Sequence, residues 1–452
     1  MKIAVLGGGA TGLTAAWKLR AEGHDVSLLE ASPRLGGSVR TERAEGWLVE
    51  SGPNAIQESA DMASLLGELG LASERTAAGP AARNRYLVRN GALVALPTPS
   101  DVSGLVSTPL LSFGSKLKVT SEVARSPLNR PGDVSVAELV RDHFGREILE
   151  KFVQPFISGI YAGDAEKLSA RHAFPKVWEA ERKTGSLVRA AMEAAKSRKA
   201  LGLAPSPLIS FRGGLQAVTD ALAARLDPAL IRLGAEVHSI GPGARSPWRV
   251  AWRGQKGEES GEFDRVVLAI PAWALAQLRI GAAAKRPLSG LAAVEHPPVA
   301  TVFLGFRRDQ VAHPLDGFGA LAPASEGLST LGVVFSSSLF PGRAPERHVA
   351  LTAFAGGVLQ PAIALLPRKE LVELVQRDLR GLLGLTGEPA FVRHTLWKRA
   401  IPQYNLGFGE HLESIAACER ENPGLVIGGN ARDGISLPDC VASGAALAKR
   451  VS

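Results

Sequence analysis

The sequence contains little cysteine and no long apolar run. Cys418 and Cys440 are its two cysteines, too few for a disulfide framework and without the spacing of metal ligands. We therefore expect no metal site and a reducing compartment, the cytoplasm by default. No stretch approaches the roughly 18 uninterrupted apolar residues of a membrane-spanning helix. The N-terminus is apolar, but it is rich in glycine and lacks the cleavage site of a signal peptide.

The sequence also lacks the marks of a nucleic-acid-binding protein: a Cys/His finger, an RNP-like aromatic motif and dense runs of lysine and arginine. Its formal net charge of +8 would suit nucleic acid, an anionic membrane surface or an acidic small molecule. Without those motifs we expect no nucleic-acid partner, and a membrane surface or a carboxylate-bearing substrate stays open. The 452 residues, 45% hydrophobic and 21% charged, are typical of a globular protein with two or three domains.

What the sequence does contain is a glycine motif between a short apolar segment and a helix-forming one. Lys2–Leu6 predicts a buried strand and Leu13–Ala21 a helix, and Gly7, Gly9 and Gly12 stand before that helix in G-x-G-x-x-G spacing. The first glycine permits a tight turn, the second lets a pyrophosphate approach the backbone, and the third lets the helix pack on the strand. The helix N-terminus then faces the phosphate charge.

A second predicted strand, His24–Leu29, is followed by Glu30, which comes 18 positions after Gly12. An acidic residue at this place accepts hydrogen bonds from a ribose 2′-hydroxyl and repels a 2′-phosphate. For the glycine motif alone, a structural turn is the alternative. Strand, helix, second strand and glutamate together favour a doubly wound, Rossmann-like α/β domain that binds a dinucleotide.

The stretch 31–41 distinguishes FAD from NAD. It contains Arg34, Arg40 and the pair Gly36-Gly37, and it resembles the extension of flavin amine oxidases in which an arginine and a glycine pair meet the FAD. Consecutive glycines expose backbone N–H groups, and either arginine could neutralise a pyrophosphate or hold the isoalloxazine side of the cofactor. A surface loop with two solvated arginines is the alternative.

The C-terminal end presents a second helix N-terminus. Gly424–Ile427 predicts a strand, Gly428–Asn430 a turn, and Leu437 begins a predicted helix with a proline in its first turn. In glutathione-reductase-type flavoproteins, a late helix of this kind points its positive end at the flavin N1/C2=O region and stabilises the anion of the reduced ring. Ile435, Ser436 and Leu437 are the candidates for that backbone contact.

A more specific resemblance comes from motifs distributed along almost the whole chain. Together they look like the protoporphyrinogen oxidase family, within the flavin amine oxidases: Glu50–Asn54, Asn84–Tyr86, Ser158–Asp164, Ile401–Tyr404 and Gly434–Cys440. The resemblance implies six-electron oxidation of a porphyrinogen in heme biosynthesis, with FAD as hydride acceptor, molecular oxygen as reoxidant and hydrogen peroxide as by-product.

The chain departs from the family after Ile401–Tyr404. Relatives usually have two further residues and then Gly-His, whereas this chain has Asn405–Phe408 and its next histidine is His411. We interpret this histidine as packing or flavin-side structure. Any chemical role that the histidine has in relatives is in doubt here.

The motifs at both ends, with the resemblance, define the expected cofactor contacts. Val237 would touch the adenosine through its backbone, and Asp264–Pro271, which contains Ala269, predicts a buried strand that returns into the FAD domain. The residues expected to contact FAD are Gly7, Gly9, Ala10, Thr11, Gly12, Glu30, Ala31, Arg34, Gly36, Gly37, Ser38, Arg40, Gly52, Pro53, Asn54, Val237, Ala269, Trp397, Gly429, Asn430, Ile435, Ser436 and Leu437.

No catalytic dyad is evident, and none is needed if flavin N5 takes hydride from a meso carbon while the macrocycle tautomerises and the protein positions the ring. Arg85 is the candidate for pairing a substrate propionate, with a surface arginine as the alternative. Leu321 and Phe335 would sandwich the macrocycle, although either could be ordinary core. The backbone at Ala162 and Gly163 could approach the ring closely because glycine leaves room.

The predicted organisation is discontinuous. Alternating apolar runs between 280 and 400 predict an antiparallel substrate sheet, and the segment before residue 200 is rich in helix formers. The predicted parts are an FAD-binding domain of the glutathione-reductase type (1–80, 205–275 and 412–452), a substrate domain (81–99 and 280–411) and a helical domain (100–204) with helices around 113–125, 135–156 and 176–199. A monomer and a homodimer both stay open.

The helical domain carries Lys196, Arg198 and Lys199 directly before the apolar Ala200–Leu203. In relatives such a segment rests on the membrane, so we expect peripheral attachment to the inner face of the cytoplasmic membrane, with a solvated helix face as the alternative. Two other activities stay open. One is oxidation of coproporphyrinogen III, and the other is a flavin amine oxidase, for which Trp397-Lys398 is the one hint of an aromatic cage and a lysine.

Overall fold

A computed structural model of the chain describes residues 1–96, 108, 110–127, 130–200 and 206–451. Its strands are β1 (Lys2–Leu6), β2 (Asp25–Glu30), β3 (Thr41–Ala44), β4 (Trp47–Glu50), β5 (Ile56–Gln57), β6 (Arg75–Ala77), β7 (Tyr86–Arg89), β8 (Ala92–Ala95), β9 (Leu208–Phe211), β10 (Ile231–Leu233), β11 (Glu236–Pro242), β12 (Trp248–Gly254), β13 (Gly257–Phe263), β14 (Arg265–Leu268), β15 (Arg279–Ile280), β16 (Val299–Arg307), β17 (Gly319–Leu321), β18 (Thr330–Val334), β19 (His348–Gly356), β20 (Phe391–Trp397) and β21 (Leu425–Ile427).

The α-helices are α1 (Ala10–Ala21), α2 (Ala60–Leu69), α3 (Phe113–Glu122), α4 (Val136–Phe144), α5 (Arg146–Ile148), α6 (Gln154–Tyr161), α7 (Ala170–Ala173), α8 (Pro175–Thr184), α9 (Leu187–Ala200), α10 (Gln216–Ala223), α11 (Ala272–Leu275), α12 (Ser336–Leu339), α13 (Pro361–Ala364), α14 (Arg368–Leu383), α15 (Phe408–Glu421) and α16 (Leu437–Val451). Leu149–Val153 is π-helical, and short 3₁₀ helices cover Pro80–Arg83, Pro228–Leu230, Ser289–Ala293, Arg308–Gln310 and Ala324–Glu326.

A five-stranded parallel sheet in the order β10-β2-β1-β14-β21 is the centre of the nucleotide-binding part. Successive side chains of a strand point to opposite faces. Ile3 and Val5 of β1 therefore pack with α1, α10 and α16, while Ala4 and Leu6 pack with the four-stranded sheet β13-β12-β11-β15. Because both faces are covered, the central strands have to be apolar throughout.

The first βα unit agrees with the sequence prediction, with one shift at its helix. α1 begins at Ala10 rather than Leu13, so Gly12 lies in its first turn. β2 ends at Glu30 and β14 covers Arg265–Leu268. This sheet therefore has the mixed α/β arrangement that the sequence predicts.

The second large sheet has the order β20-β16-β19-β18-β17-β7-β8. The pairs between 280 and 400 are antiparallel, as the sequence predicts. β7, which lies outside that range, pairs with β17 in parallel and with β8 antiparallel. α14 packs its apolar side on one face against residues such as Val302 and Leu304, and Trp47 packs on the other face against Phe303. β16 is consequently buried along nearly its whole length instead of alternating.

The helical segment is more broken than its composition suggests. The helix predicted around 135–156 ends at Gly145, which has φ +86°, and then continues as α5, a π-helical turn and α6. The helix predicted around 176–199 is interrupted at Gly185, which has φ +75°. Both glycines adopt a backbone that other residues reach at a cost. Among the described residues, none of the helices combines the length and the apolar character needed to cross a membrane.

Candidate functional site

The predicted nucleotide loop lies where β1 ends and α1 begins. Gly7 has φ +104°, and a Cβ atom added to Gly12 would lie 1.8 Å from the Gly7 carbonyl oxygen. A Cβ on Gly7 would lie 2.4 Å from the carbonyl oxygen of Ala269, which follows β14. The first and third glycines of the motif are therefore needed for close backbone packing at the carboxyl edge of the sheet.

The middle glycine of the motif lines an open space. Gly9 is the N-cap of α1 and provides no side-chain cap, and a Cβ on Gly9 would meet no atom nearer than the Gly37 Cα at 4.0 Å. Ala10 and Thr11 follow as the first two residues of the helix. Glycines thus form both walls of a cradle at a helix N-terminus that carries no acidic residue in its first turn. This arrangement fits a pyrophosphate, which the helix N–H groups and dipole attract.

Glu30 is held in place at the end of β2. Its Oε2 accepts a hydrogen bond from the Gly8 N–H at 2.6 Å, and its Oε1 accepts one from the Ser32 N–H at 2.7 Å. A carboxylate has about four acceptor sites, so lone pairs remain for ribose hydroxyls. The Ala235 N–H donates to the Glu30 carbonyl oxygen at 2.9 Å, which brings the start of β11, and so Val237, near the same strand end.

Arg34 shapes the loop that follows β2. Its guanidinium donates to the carbonyl oxygens of Leu35, Gly37 and Val39, at 2.9, 2.5 and 3.3 Å. Burial and the nearby charge of Arg40 lower its pKa. Arg34 therefore holds the glycine pair by its backbone, a role that the sequence did not indicate. Ala31, Ser38 and Arg40 are exposed on the same loop, which leaves the Arg40 side chain accessible.

The Ser51–Asn54 segment, called the strap below, packs against this loop. A Cβ on Gly52 would lie 2.0 Å from the Ser38 carbonyl oxygen, and the Ser51 N–H donates to the Arg40 carbonyl oxygen at 2.9 Å. The Asn54 side chain donates to the Gly52 carbonyl oxygen at 3.1 Å. The backbones of strap and loop are therefore in direct contact. Gly52, Pro53 and Asn54 are half-buried beside the glycine cradle.

Trp397 lies at the end of β20, on the substrate sheet. Its indole N–H donates to the Ser51 carbonyl oxygen at 2.8 Å. Its polar atom is therefore occupied by the strap. The neighbouring Lys398 is exposed.

The hairpin β3–β4 leads into the strap and is anchored by a buried carboxylate. Glu50 accepts hydrogen bonds from the Thr41 hydroxyl at 2.7 Å and the Leu215 N–H at 2.8 Å. Burial raises the pKa of Glu50, although Arg343 lies 3.5 Å away. Arg343 in turn donates to the Ser210 hydroxyl at 2.5 Å. The hairpin thus joins the nucleotide-binding part to the substrate sheet.

The C-terminal loop closes on the N-terminal one. The Gly429 N–H donates to the Ser443 hydroxyl at 2.8 Å and to the Asp433 carboxylate at 3.0 Å. A Cβ on Gly444 would lie 2.4 Å from the Thr11 carbonyl oxygen, so α16 packs tightly on the start of α1. Residues from both ends of the chain therefore meet at one edge of the parallel sheet, the usual place of a ligand in such sheets.

Tyr404 is a candidate site residue that the sequence analysis named only as part of the motif Ile401–Tyr404. Its hydroxyl donates to the Asn430 carbonyl oxygen at 2.8 Å and accepts from the Gly434 N–H at 3.1 Å. Burial raises its pKa. Its ring stacks on Phe408 at 4.1 Å, and His411 packs edge-on against the same phenylalanine. His411 is thus placed in a packing contact, and Tyr404 holds the loop before α16.

The N-terminus of α16 is partly capped by its own side chains. The Ser436 hydroxyl accepts from the Asp439 N–H at 3.1 Å, and the Asp439 carboxylate accepts from the Ser436 N–H at 3.2 Å. Ile435, Ser436 and Leu437 were predicted to contact the flavin, but the Ser436 N–H already donates to Asp439. Ile435 and Leu437 have no hydrogen-bond partner for theirs within the described part of the chain. The geometry therefore leaves these two for a ligand.

The residues expected to bind substrate are spread over a wider region. Arg85 is exposed and lies over the ring of Phe318 at 5.7 Å, without an ion pair among the described residues. Leu321 lies over α6, because a Cβ on Gly159 would be 2.3 Å from its Cδ2. Phe335 is 0% exposed and belongs to the core between the substrate sheet and α14. Its position therefore fits ordinary core packing rather than a wall that faces the substrate.

Ala162 and Gly163 form a buried bend at the end of α6. Ala162 has φ +52° and its carbonyl oxygen accepts from the Val358 N–H at 2.8 Å. A Cβ on Gly163 would lie 2.5 Å from Gln403 Oε1. Gln403 also donates to the Tyr161 carbonyl oxygen at 2.8 Å. The motif at 401–404 thus supports this bend.

Comparison with known proteins agrees with this architecture. Residues 10–452 match the model of the family described as flavin containing amine oxidoreductase. The mitochondrial protoporphyrinogen oxidase of Nicotiana tabacum is 34% identical and is matched over 98% of this chain and 93% of its own length. The coproporphyrinogen III oxidase of Bacillus subtilis is 27% identical, with 98% and 96% covered.

Among solved structures, the chain superposes with a TM-score of 0.82 on a protein from Exiguobacterium sp. 255-15. That protein is assigned as a protoporphyrinogen oxidase without proof of its activity. It is 26% identical, and 99% of this chain and 98% of that chain are covered. The chain therefore belongs to the flavin-containing amine oxidoreductases and, within them, to the protoporphyrinogen oxidase family.

Proposed function

We propose that the protein oxidises protoporphyrinogen IX to protoporphyrin IX in heme biosynthesis, with FAD as cofactor and molecular oxygen as final acceptor. The observation that carries this proposal is the glycine-walled cradle in a chain that is similar to protoporphyrinogen oxidases along 97–100% of its length. Removal of six electrons and six protons from the porphyrinogen would reduce three molecules of oxygen to three of hydrogen peroxide.

The residues present fit FAD. The N-terminus of α1 and Gly9 would hold the pyrophosphate, Glu30 the adenosine ribose, and the exposed Arg40 would add a cation beside the phosphates. The free N–H groups of Ile435 and Leu437 would face the flavin ring. When bound, FAD supplies the hydride acceptor that oxygen regenerates.

The protein's own contribution to catalysis would be the positioning of a flat, carboxylate-bearing macrocycle. Arg85 suits a propionate because its guanidinium is accessible and can bind a carboxylate through two N–H groups. Leu321 is half-buried above α6 and suits an apolar wall. Phe335, which lies in the core of the substrate sheet, would contribute only through packing. The bend at Ala162 and Gly163 would present backbone groups rather than side chains.

Coproporphyrinogen III is the second candidate substrate, because coproporphyrinogen III oxidases also match the chain at 27% identity. The identity to protoporphyrinogen oxidases is higher, at 32–34%, which favours the substrate with two carboxylates. The test is to purify the protein, confirm flavin by its visible absorbance, and follow porphyrin fluorescence under air with each porphyrinogen. Faster oxidation of coproporphyrinogen would reverse the assignment, and oxidation of neither would direct the search to amines.

An anionic membrane surface is the proposed partner of the helical segment. Phe113 and Leu117 are 83% and 61% exposed one turn apart on α3, with Lys116 and Lys118 beside them. Exposed apolar side chains flanked by lysines are typical of an interfacial helix. The basic run predicted for this role ends α9, which buries none of its residues, and residues 201–205 lie outside the described part of the chain.

Sedimentation with phosphatidylglycerol vesicles tests this attachment. We expect binding that Phe113→Ser weakens and that Leu365→Ser, at a position 57% exposed outside the helical segment, leaves unchanged. Equal binding of both variants, or no binding at low salt, would contradict the proposal.

A further inference from the structure

Three side chains of the substrate sheet converge on one residue of the strap. Ser51 is 1% exposed. Its carbonyl oxygen accepts from the Trp397 indole at 2.8 Å and from the Thr301 hydroxyl at 3.4 Å, and its hydroxyl accepts from the Thr395 hydroxyl at 3.2 Å. Residues 301, 395 and 397 are called the Ser51 clamp below.

The sheet register makes this convergence possible. Thr301 of β16 and Thr395 of β20 are directly paired, so their side chains stand side by side on one face. Trp397 follows two residues after Thr395 and therefore points to the same face. The clamp is thus fixed by two long strands, whereas Ser51 belongs to a connecting segment.

The strap connects Ser51 to the cofactor cradle through backbone contacts. The Ser51 N–H is bonded to the Arg40 carbonyl oxygen, and Gly52 packs directly on Ser38. The same loop contains Gly37, which lies opposite Gly9 across the cradle. A chain of backbone contacts therefore runs from the substrate sheet to the wall of the FAD site.

We propose that Thr301, Thr395 and Trp397 are positioning residues that, through Ser51, set the position of the loop whose Gly37 forms one wall of the cofactor cradle. The proposal rests on the proposed FAD site. It replaces the direct cofactor contact predicted for Trp397 with an indirect one. The physical reason is that Ser51 is buried. Without the Trp397 donor its carbonyl oxygen keeps only the long bond from Thr301, and without Thr395 its hydroxyl loses a donor. In each case the strap moves to reach another partner.

Shape-preserving variants test this role without removing packing. Trp397→Phe and Thr395→Val delete the donors and keep most of the volume, whereas Thr395→Ser keeps the hydroxyl. We expect FAD affinity of the apoprotein to fall about tenfold in each of the first two, the cost of losing one buried hydrogen bond. In both variants the absorbance spectrum and the midpoint potential of the bound flavin should also shift. Thr395→Ser should have the FAD affinity and flavin properties of the unsubstituted protein.

Matched controls come from the same chain. Thr352→Val, on β19 beside β16, removes a buried hydroxyl that bonds the Ser336 hydroxyl of α12 at 2.8 Å. Trp252→Phe alters a buried tryptophan of β12. Neither contacts Ser51 in the described residues. Thermal unfolding of each apoprotein identifies variants that merely destabilise the fold.

Unchanged FAD affinity and flavin spectrum in Trp397→Phe and Thr395→Val, or equal shifts in the two controls, would overturn the proposal. All these measurements are made without porphyrinogen. A protein that binds FAD but oxidises neither porphyrinogen would therefore refute the proposed substrate and still leave the clamp testable.

Discussion

At the scale of single residues, the cradle depends on where side chains are absent. Gly12 and Gly67 are both helical glycines, but a Cβ on Gly12 would lie 1.8 Å from the Gly7 carbonyl oxygen, whereas one on Gly67 would meet nothing within 4 Å. Alanine normally stabilises a helix by up to about 1 kcal/mol over glycine. The position in the fold therefore decides the effect of the same substitution.

We expect Gly12→Ala to abolish FAD binding and Gly67→Ala to leave it unchanged with equal or higher stability. Titration of the apoproteins with FAD and urea unfolding measure the two effects. Normal FAD affinity in Gly12→Ala would mean that the backbone contact is not needed for the cradle.

Tyr404 gives a second prediction at this scale. Tyr404→Phe removes the hydroxyl that joins Asn430 and Gly434 but keeps the ring on Phe408. A partly buried carbonyl oxygen and a partly buried N–H would each lose a partner, so we expect a loss of about 1–3 kcal/mol in the free energy of unfolding. Urea unfolding measures this loss. A change below about 0.5 kcal/mol, the usual range for a surface substitution, would contradict the role.

At the scale of elements, a buried charged cluster joins the helices of the 100–204 segment. Arg130 forms a forked pair with Glu181 at 2.8 to 3.0 Å, and His143 lies between Glu181 and Glu122 at 2.8 and 2.7 Å. Glu122, at the end of α3, accepts from the Leu187 N–H at the start of α9. One cluster therefore holds α3, α4, α8 and α9 together.

The cluster predicts a pH dependence of stability. Burial by itself would raise the pKa of Glu181, but the hydrogen bonds and charges of Arg130 and His143 outweigh it and hold the pKa below the usual 4.5. Since the folded pKa is the lower one, the stabilisation is complete above about pH 5 and is lost as pH falls towards the folded pKa.

We expect Glu181→Gln to destabilise the protein by about 3 kcal/mol at pH 7, because the substitution leaves the charge of Arg130 buried and only partly paired. The difference in the free energy of unfolding between this variant and the unsubstituted protein should shrink as the pH falls below about 4. Urea unfolding of both proteins across this pH range provides the measurement. A difference that stays constant with pH would show that the carboxylate charge does not contribute.

At the scale of the whole molecule, the cofactor site unites segments from both ends of the chain and a hairpin tied to the substrate sheet. A ligand that binds only the folded state stabilises it by about 2.7 kcal/mol at a hundred times its dissociation constant. We expect FAD to raise the unfolding temperature of the apoprotein and NAD to leave it unchanged. Thermal unfolding with each dinucleotide measures this, and an equal shift with NAD would contradict the FAD assignment.

The sequence by itself determined the elements whose geometry is local. β1, the glycine turn, α1 and Glu30 could be predicted because strand burial, glycine conformation and helix start are properties of neighbouring residues. The C-terminal strand, turn and helix were predicted for the same reason. The family motifs indicated FAD as the cofactor, since they occur in one order along the chain.

Only the tertiary structure decided which polar groups meet. Trp397 binds Ser51, which lies 346 positions earlier, and Phe335 lies in the core. The parallel pairing of β17 with β7 is likewise a contact between distant segments. A hydrogen-bond partner or a neighbouring strand is set by packing of the whole chain, and periodicity along one segment carries no information about it.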